Sequence, residues 1–393
     1  MIEIPPLVDQ CGHGMDRADL GLGTFETLLG ATAGPPAPGT TRFDSPAGTA
    51  LRRWCPPLLD LEPHCAPARY LARRRELGAL ETERRLLAAA GTGEWLVDPA
   101  PEAAGGPGDS GTDPAAGPAL SGGGPVHEVV RLERLAAQIA DTSGTVDGLL
   151  VNLAEAVRGT AGTAVAFSAA AFGTGAGTGV PGAAPVPAPA ADGPPPRHAV
   201  RAAAGAWLAG RDAERYATGT APGPGRHGWP TGPVLLAHLH WLAVAAGRPL
   251  QLRLGGTDPT ALAPFAAATA GLGADLVLLG CYPYHRQAAL LADRFPQVYA
   301  DVGTAPAGPA PGVAATVLAG VLETAPYGKV LWSSGARGLP ELHLVAARAF
   351  REALGRLLTD RVSGGAWPAG DARRVAALVA AGNARRVYRL PAP

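Results

Sequence analysis

Eight short, apolar, β-rich segments are the feature of this sequence that most restricts its fold. They follow one another along the whole chain, usually with helix-like stretches between them: PPLVDQ (5–10), EWLVDP (94–99), VHEVVRLE (126–133), TAVAFSA (163–169), PLQLRLG (249–255), DLVLLGC (275–281), VYADVG (298–303) and KVLWSS (329–334). Both faces of these segments are apolar, as is typical of parallel strands covered by helices. Eight such strands predict an α/β fold of the (β/α)8 TIM barrel type.

Helices are predicted in the stretches between the strands. Apolar residues recur there at helical spacing, in 66–90, 231–247, 258–273, 286–295 and 312–326. Asp258 followed by Pro259 indicates a capped helix start. A long C-terminal helical region, 341–358 and 370–390, is predicted to complete the outer ring of the barrel.

Composition sets the limits of the other predictions. A chain of 393 residues with equal numbers of basic and acidic residues has no positive field to attract nucleic acid or anionic lipid. Four scattered cysteines and no CxxC pair predict neither a disulfide framework nor structural zinc. The sequence shows no secretory leader and no run of membrane-spanning length, so we expect a cytoplasmic protein with no membrane partner.

Glycine and proline concentrate in a few stretches. Two of them, 99–125 and 173–196, are predicted to be flexible insertions in a single barrel domain that covers residues 1–393. A third stretch, 218–233, contains Arg226, His227 and Trp229 and is interpreted as a surface loop rather than a ligand lid.

A TIM barrel places its site at the carboxyl ends of its strands, so the last residues of each segment are the candidates. In chain order they are Cys11, His13, Asp98, Arg131, Glu133, Phe167, Ser168, Arg253, Gly280, Cys281, Asp301, Ser333, Ser334 and Gly335.

At these strand ends the chain resembles the amidohydrolase superfamily. The resemblance is to the amidohydrolase-related branch that includes the domain fused or adjacent to glutamine-synthetase-like proteins. It covers nearly the whole chain and rests on PPLVDQCGHG, FDSPAGTALRRWCPPLLDL, HEVVRLERLA, VLLGCYPYHRQAALLADRFPQVYADVG, GKVLWSSGARGLPEL and GNARRVYRL. It implies a barrel that holds one or two divalent ions, which activate a water for hydrolysis.

The resemblance also implies a ligand set, most of which this chain lacks. The family's first His-x-His pair falls on Cys11 and His13, its fourth-strand lysine on Phe167, its fifth-strand histidine on Arg253, its sixth-strand histidine on Gly280 and its eighth-strand aspartate on Gly335. Glycine and phenylalanine offer no side-chain donor, and arginine stays protonated. One histidine and one thiolate fall short of the three protein ligands of a catalytic zinc. The sequence therefore predicts a vestigial metal site without a bound cofactor.

Several alternatives stay open at this point. Zinc could still bind if Cys281, His285 or Asp301 reached Cys11 and His13. Cys11 and His13 could instead form a nucleophile and base. Arg253, Arg337 and Arg131 could form an anion pocket, or they could make structural ion pairs with Glu133, Asp301 or Glu341.

Three hypotheses of function follow. The first is a degenerate amidohydrolase barrel, a pseudoenzyme that binds a small anionic ligand or acts as a scaffold for an active paralogue. The second is an active amidohydrolase that hydrolyses C–N bonds with a rebuilt metal site. The third is a metal-free enzyme that uses Cys11 and His13. The sequence leaves open whether the chain forms a homo-oligomer.

Overall fold

The eight apolar segments form one parallel sheet in a computed structural model of the protein. The structure describes residues 2–30, 36–98, 124–172, 193–219, 229–230, 232–303 and 311–391. The strands are β1 (Leu7–Gly12), β2 (Thr92–Val97), β3 (Val126–Arg131), β4 (Ala166–Ala170), β5 (Leu250–Arg253), β6 (Leu276–Leu279), β7 (Val298–Asp301) and β8 (Val330–Leu331). They are ordered β1 to β8 in sequence, with every neighbouring pair parallel.

The sheet curves round so that the chain after β8 meets β1. Backbone hydrogen bonds join Gly335 N to Cys11 O at 2.9 Å and His13 N to Ala336 O at 3.0 Å. A parallel bridge links Met15 with Gly338. The predicted (β/α)8 barrel is therefore confirmed.

Helices surround the strands. They are α1 (Leu22–Leu29), α2 (Pro46–Trp54), α3 (Pro67–Leu77), α4 (Ala79–Ala90), α5 (Leu132–Thr142), α6 (Val146–Thr160), α7 (Arg197–Thr218), α8 (Pro233–Ala245), α9 (Ala263–Thr269), α10 (His285–Arg294), α11 (Pro311–Leu322), α12 (Pro340–Ser363), α13 (Ala369–Ala377) and α14 (Asn383–Tyr388). The helix predicted over 66–90 is two helices, because Gly78 takes a left-handed φ of 78° between α3 and α4. The Asp258 cap is confirmed, since its side chain accepts from Thr260 N ahead of α9.

The apolar side chains of the strands fall into two main clusters, one on each face of the sheet. The larger one packs strand residues such as Leu7, Val130 and Phe167 against the helices. The smaller one combines the alternate strand residues with residues of α14, and it includes Val8, Leu96, Val129, Ala166, Val277, Tyr299, Leu331 and Tyr388. Because side chains alternate along a strand, the second cluster is the interior of the barrel.

The terminal helix α14 differs from its sequence interpretation. It does not complete the outer ring, because Val387 and Tyr388 pack into the barrel interior. The hydroxyl of Tyr388 donates to Gln10 Oε1 at 2.7 Å and accepts from Gln251 Nε2 at 2.9 Å. Arg385 of the same helix forms an ion pair with Glu94 on β2. The helix thus closes the end of the barrel at which the strands begin.

Some of the predictions fall on other parts of the chain. Residues 99–123 and 173–192 of the two Gly/Pro-rich stretches, with Arg226 and His227 of the third, lie outside the described residues. Two further statements stay predictions, namely that residues 1–393 form a single domain and that the protein is cytoplasmic. Among the described helices, none combines the length and the apolar character needed to span a membrane.

Candidate functional site at the carboxyl ends of the strands

Two arginines and two carboxylates join the ends of β2, β3 and β5. Arg131 binds Asp98 through both Nε and Nη2, with contacts of 3.0, 3.1 and 2.7 Å to the carboxylate oxygens. Burial opposes ionisation of Asp98, but Arg131, His13 and Arg253 together outweigh it and lower the pKa of that carboxyl. Trp229 covers the pair, with its ring centre 5.6 Å from the guanidinium carbon of Arg131.

Arg253 makes the second connection. Its Nη2 donates to Glu133 Oε1 at 2.8 Å, its Nη1 donates to the hydroxyl of Ser168, and Nη1 lies 3.7 Å from Asp98 Oδ2. Burial, together with repulsion from Arg131, lowers the pKa of Arg253, while Glu133 and Asp98 oppose that change. The interpretation of Arg253 as a structural ion pair with Glu133 is confirmed. Of the other two carboxylates considered, Glu341 pairs with Arg74, and Asp301 accepts hydrogen bonds from Gln10, Gly303 and Ser333.

Cys11 and His13 face each other at the end of β1. The Sγ of Cys11 lies 4.0 Å from the Nε2 of His13. The Nδ1 of His13 lies 2.8 Å from the backbone oxygen of Asp98. Because a carbonyl oxygen only accepts, Nδ1 must carry the proton, and the lone pair of Nε2 therefore faces the sulfur.

Burial keeps both members of this pair uncharged near neutral pH. It raises the pKa of the Cys11 thiol well above its ordinary value, and the carboxylates of Asp98, Asp9 and Asp301 raise it further. It lowers the pKa of His13 to about 4. The arrangement is therefore a neutral thiol beside a neutral imidazole, whereas a reactive cysteine requires a thiolate.

Two of the predicted site residues face away from the barrel interior. Phe167 is fully buried in the outer cluster, against the helices, and its neighbour Ser168 faces the interior. Cys281 belongs to the same outer cluster, where its thiol contacts the backbone oxygen of Leu278 at 3.2 Å. The prediction that Phe167 points into the site is therefore wrong, and Ser168 is the inward residue of β4. Cys281 likewise does not face the interior with Cys11 and His13.

The other candidates lie around the rim or outside it. Gly280 and Gly335 have left-handed φ values of 67° and 59°, which disfavour any side chain. The backbone of Gly280 bonds to Asp301, and that of Gly335 bonds to Cys11. His285 begins α10 and stacks on Tyr282 at 6.1 Å between ring centres, so it does not join the thiol.

Arg337 is exposed on the segment that follows β8, and no ion pair holds it within the described part of the chain. Partial burial and the charge of Arg131 lower its pKa, and its own charge acts on His13. Arg337 therefore lies close enough to Arg131 and His13 for its charge to affect both.

Asp301 is a fully buried carboxyl group at the end of β7. Gln10 Nε2 and Gly303 N donate to its Oδ1 at 3.1 and 3.0 Å, and Ser333 Oγ donates to its Oδ2 at 2.8 Å. Burial outweighs these hydrogen bonds and raises the pKa of Asp301 to about 7. A carboxyl group that titrates near neutrality is suited to exchange protons. In the sequence, only its position at the end of the seventh apolar segment indicated that Asp301 belongs to the site.

These donors do not fit a divalent metal ion. Asp98 and Glu133 are held by guanidinium groups, and Cys11 and His13 are only two ligands. Across the described residues, no group of three or more histidine, cysteine, aspartate and glutamate side chains is placed to hold a metal ion. The alternative in which Cys281, His285 or Asp301 completes a zinc site with Cys11 and His13 is therefore not supported by the described residues.

Comparison with known proteins agrees with the architecture. No family model matches the chain. A candidate metal-dependent hydrolase from Lactobacillus casei ATCC 334 superposes with a TM-score of 0.77 at 20% identity, over 99% of this chain and 96% of that one. The chain has the fold of a metal-dependent hydrolase barrel. A uronate isomerase from Thermotoga maritima (TM-score 0.60, 13% identity, 98% and 94% covered) and a glucuronate isomerase from Caulobacter crescentus (0.57, 13%, 99% and 92%) share this fold.

One curated relative matches part of the barrel. It is the protein fluG of Emericella nidulans, 34% identical over 151 residues, or 36% of this chain. The match spans only 18% of the fluG protein. These likenesses confirm the predicted fold and leave the activity of this chain to be inferred from its site.

Proposed function

We propose that this barrel has lost metal-dependent hydrolysis and acts as a metal-independent binding protein for a small anionic molecule. The observation that carries the proposal is the pair of guanidinium–carboxylate connections, Arg131 with Asp98 and Arg253 with Glu133. The two arginines occupy the carboxylates that follow β2 and β3, so those carboxylates are not free to bind a metal ion. The arginines also place two fixed positive charges where a divalent ion would be repelled.

Arg337 is the group proposed to receive the anion. Arg337 is an exposed residue, and its guanidinium can present two parallel donors to a carboxylate. His13 and Cys11 are neutral at pH 7, so they add no negative charge to oppose the ligand. A carboxylate is therefore the preferred ligand chemistry.

Metal content and calorimetry test this proposal. Protein purified without chelator should contain less than about one-tenth of a zinc or manganese ion per chain. In titrations with a series of small mono- and dicarboxylates, at least one should bind, and Arg337→Ala should weaken that binding by about 10-fold or more. Arg374→Ala is the matched control, because Arg374 is an exposed arginine on α13. Near-stoichiometric metal together with amide hydrolysis would instead establish the active hydrolase.

The contact between Cys11 and His13 favours a second candidate, a metal-free enzyme with Cys11 as nucleophile and His13 as base. The Nε2 lone pair of His13 faces the thiol across 4.0 Å. The directions of their pKa values oppose this candidate, because proton transfer would create two buried charges.

Alkylation distinguishes the two candidates. Each cysteine can be followed by peptide mass spectrometry during treatment with iodoacetamide, with the fully buried Cys55 as internal control. The binding protein predicts that Cys11 reacts at pH 7 no faster than Cys55. Rapid alkylation of Cys11 that His13→Ala slows would support the enzyme.

A further inference from the structure

Two buried side chains hold the backbone of Ala170, the last residue of β4. The N–H of Ala170 donates to Glu133 Oε1 at 2.5 Å, and its carbonyl oxygen accepts from His240 Nε2 at 2.8 Å. The pairing of β4 with β3 ends at Ser168, and the amide that follows Ala170 bonds to β5 on the opposite edge. Because the N–H and C=O of one strand residue point to the same edge of the strand, Glu133 and His240 lie side by side where β3 has ended.

Each of these two side chains has one buried acceptor atom without a donor. His240 Nε2 faces a carbonyl oxygen and must carry the ring proton, so Nδ1 is left with a lone pair. Burial lowers the pKa of His240 to about 4, which keeps the ring neutral at pH 7. Neither His240 Nδ1 nor Glu133 Oε2 has a hydrogen-bond partner within the described residues. Two neighbouring acceptors left in this state carry a large desolvation cost.

The surroundings call for a small and neutral donor. Arg253 balances the charge of Glu133, and Arg131 balances that of Asp98, so no further cation is needed. Glu133 is 2% exposed and His240 is fully buried, which leaves no route for a large ligand. A water molecule has two O–H donors, and here two acceptors lack one each.

We propose that one internal water molecule binds between Glu133 and His240, donating one hydrogen to Glu133 Oε2 and the other to His240 Nδ1. The water joins α5, which contains Glu133, to α8, which contains His240. It also fixes the carboxylate in the orientation in which Oε1 receives both Arg253 and Ala170. This inference does not rest on anion binding at Arg337, since none of these contacts involves that residue.

A crystal structure of the full-length wild type at about 1.5 Å resolution tests the proposal directly. It should show one water about 2.7–3.2 Å from both Glu133 Oε2 and His240 Nδ1. A protein donor bonded to either atom, or the lack of electron density between them, would overturn the proposal.

Oxygen-17 magnetic relaxation dispersion provides a test in solution, because it counts water molecules that stay bound inside a protein. His240→Leu removes the Nδ1 acceptor and should have about one long-lived water fewer than the wild type. His198→Leu, at an exposed histidine of α7, is the matched control and should keep the wild-type number. Equal numbers in the wild type and a folded His240→Leu would contradict the bridge. If His240→Leu does not fold, the wild-type crystal structure alone decides.

Discussion

Asp301→Asn should change how the stability of this protein depends on pH. The carboxyl of Asp301 is buried, and its pKa rises from the ordinary 3.8 to about 7. The folded protein therefore keeps the proton between about pH 4 and pH 7, whereas the unfolded chain releases it. A raised folded-state pKa contributes stability that is present below the unfolded pKa and is lost as pH rises through the folded pKa.

The magnitude follows from the two pKa values. A difference of about 3 pH units, at about 1.4 kcal/mol each, amounts to about 4 kcal/mol as an upper limit. Asparagine keeps the size of the side chain without the titration. Its amide nitrogen can take the place of Oδ2 and donate to the hydroxyl of Ser333, while its oxygen still accepts from Gln10 Nε2 and Gly303 N. The variant should therefore fold.

Urea unfolding from pH 4 to pH 8 measures the effect. Relative to Asp301→Asn, the wild type should lose stability steadily up to about pH 7 and then level off. His13 and His240, whose pKa values burial lowers to about 4, make stability rise with pH between about 4 and 6.5, but they do so in both proteins. Only the difference between the two proteins is therefore diagnostic. Asp293→Asn, on the exposed side of α10, serves as the control. Parallel curves for the wild type and Asp301→Asn would refute the reasoning.

Three other substitutions test separate parts of the structure, each by urea unfolding. Tyr388→Phe removes the hydrogen bond to Gln10 in the barrel interior and should lower the free energy of unfolding by about 1–3 kcal/mol. An unchanged urea midpoint would contradict the packing of α14 inside the barrel. Glu341→Ala leaves the buried guanidinium of Arg74 without its carboxylate and should lower the free energy of unfolding by about 3–5 kcal/mol. The loss should be larger than that caused by Glu341→Gln. Phe167→Lys should destabilise the protein by at least about 3 kcal/mol, because it places an ammonium group in the outer apolar layer; a stable variant would show that residue 167 faces the barrel interior.

The sequence was sufficient to predict the barrel, because the signals are local. All eight strands lie within or overlap the eight apolar segments, from β1 at Leu7–Gly12 to β8 at Val330–Leu331. A strand buried on both faces needs a run of apolar residues, and such a run is visible without knowledge of its neighbours. The same reasoning identified Arg131, Arg253 and Asp301 as strand-end residues.

The face that each side chain occupies could not be read from those runs. When both faces are apolar, nothing in the sequence marks the inward one, and a shift of one residue exchanges them. For this reason the sequence predicted Phe167, rather than Ser168, to be the inward residue of β4. In β1 the pairing register also shifts between Asp9 and Gly12, which breaks a simple alternation near Cys11.

The chemistry of the site was decided by tertiary structure. Asp98 meets Arg131 from 33 positions away in the chain, and Glu133 meets Arg253 from 120. Sequence showed which charges were present, but not which pairs the closed barrel would bring together. Whether a buried charge is neutralised by a partner or changes its pKa depends on atoms within a few ångströms, and only the packing of the strands determines those distances.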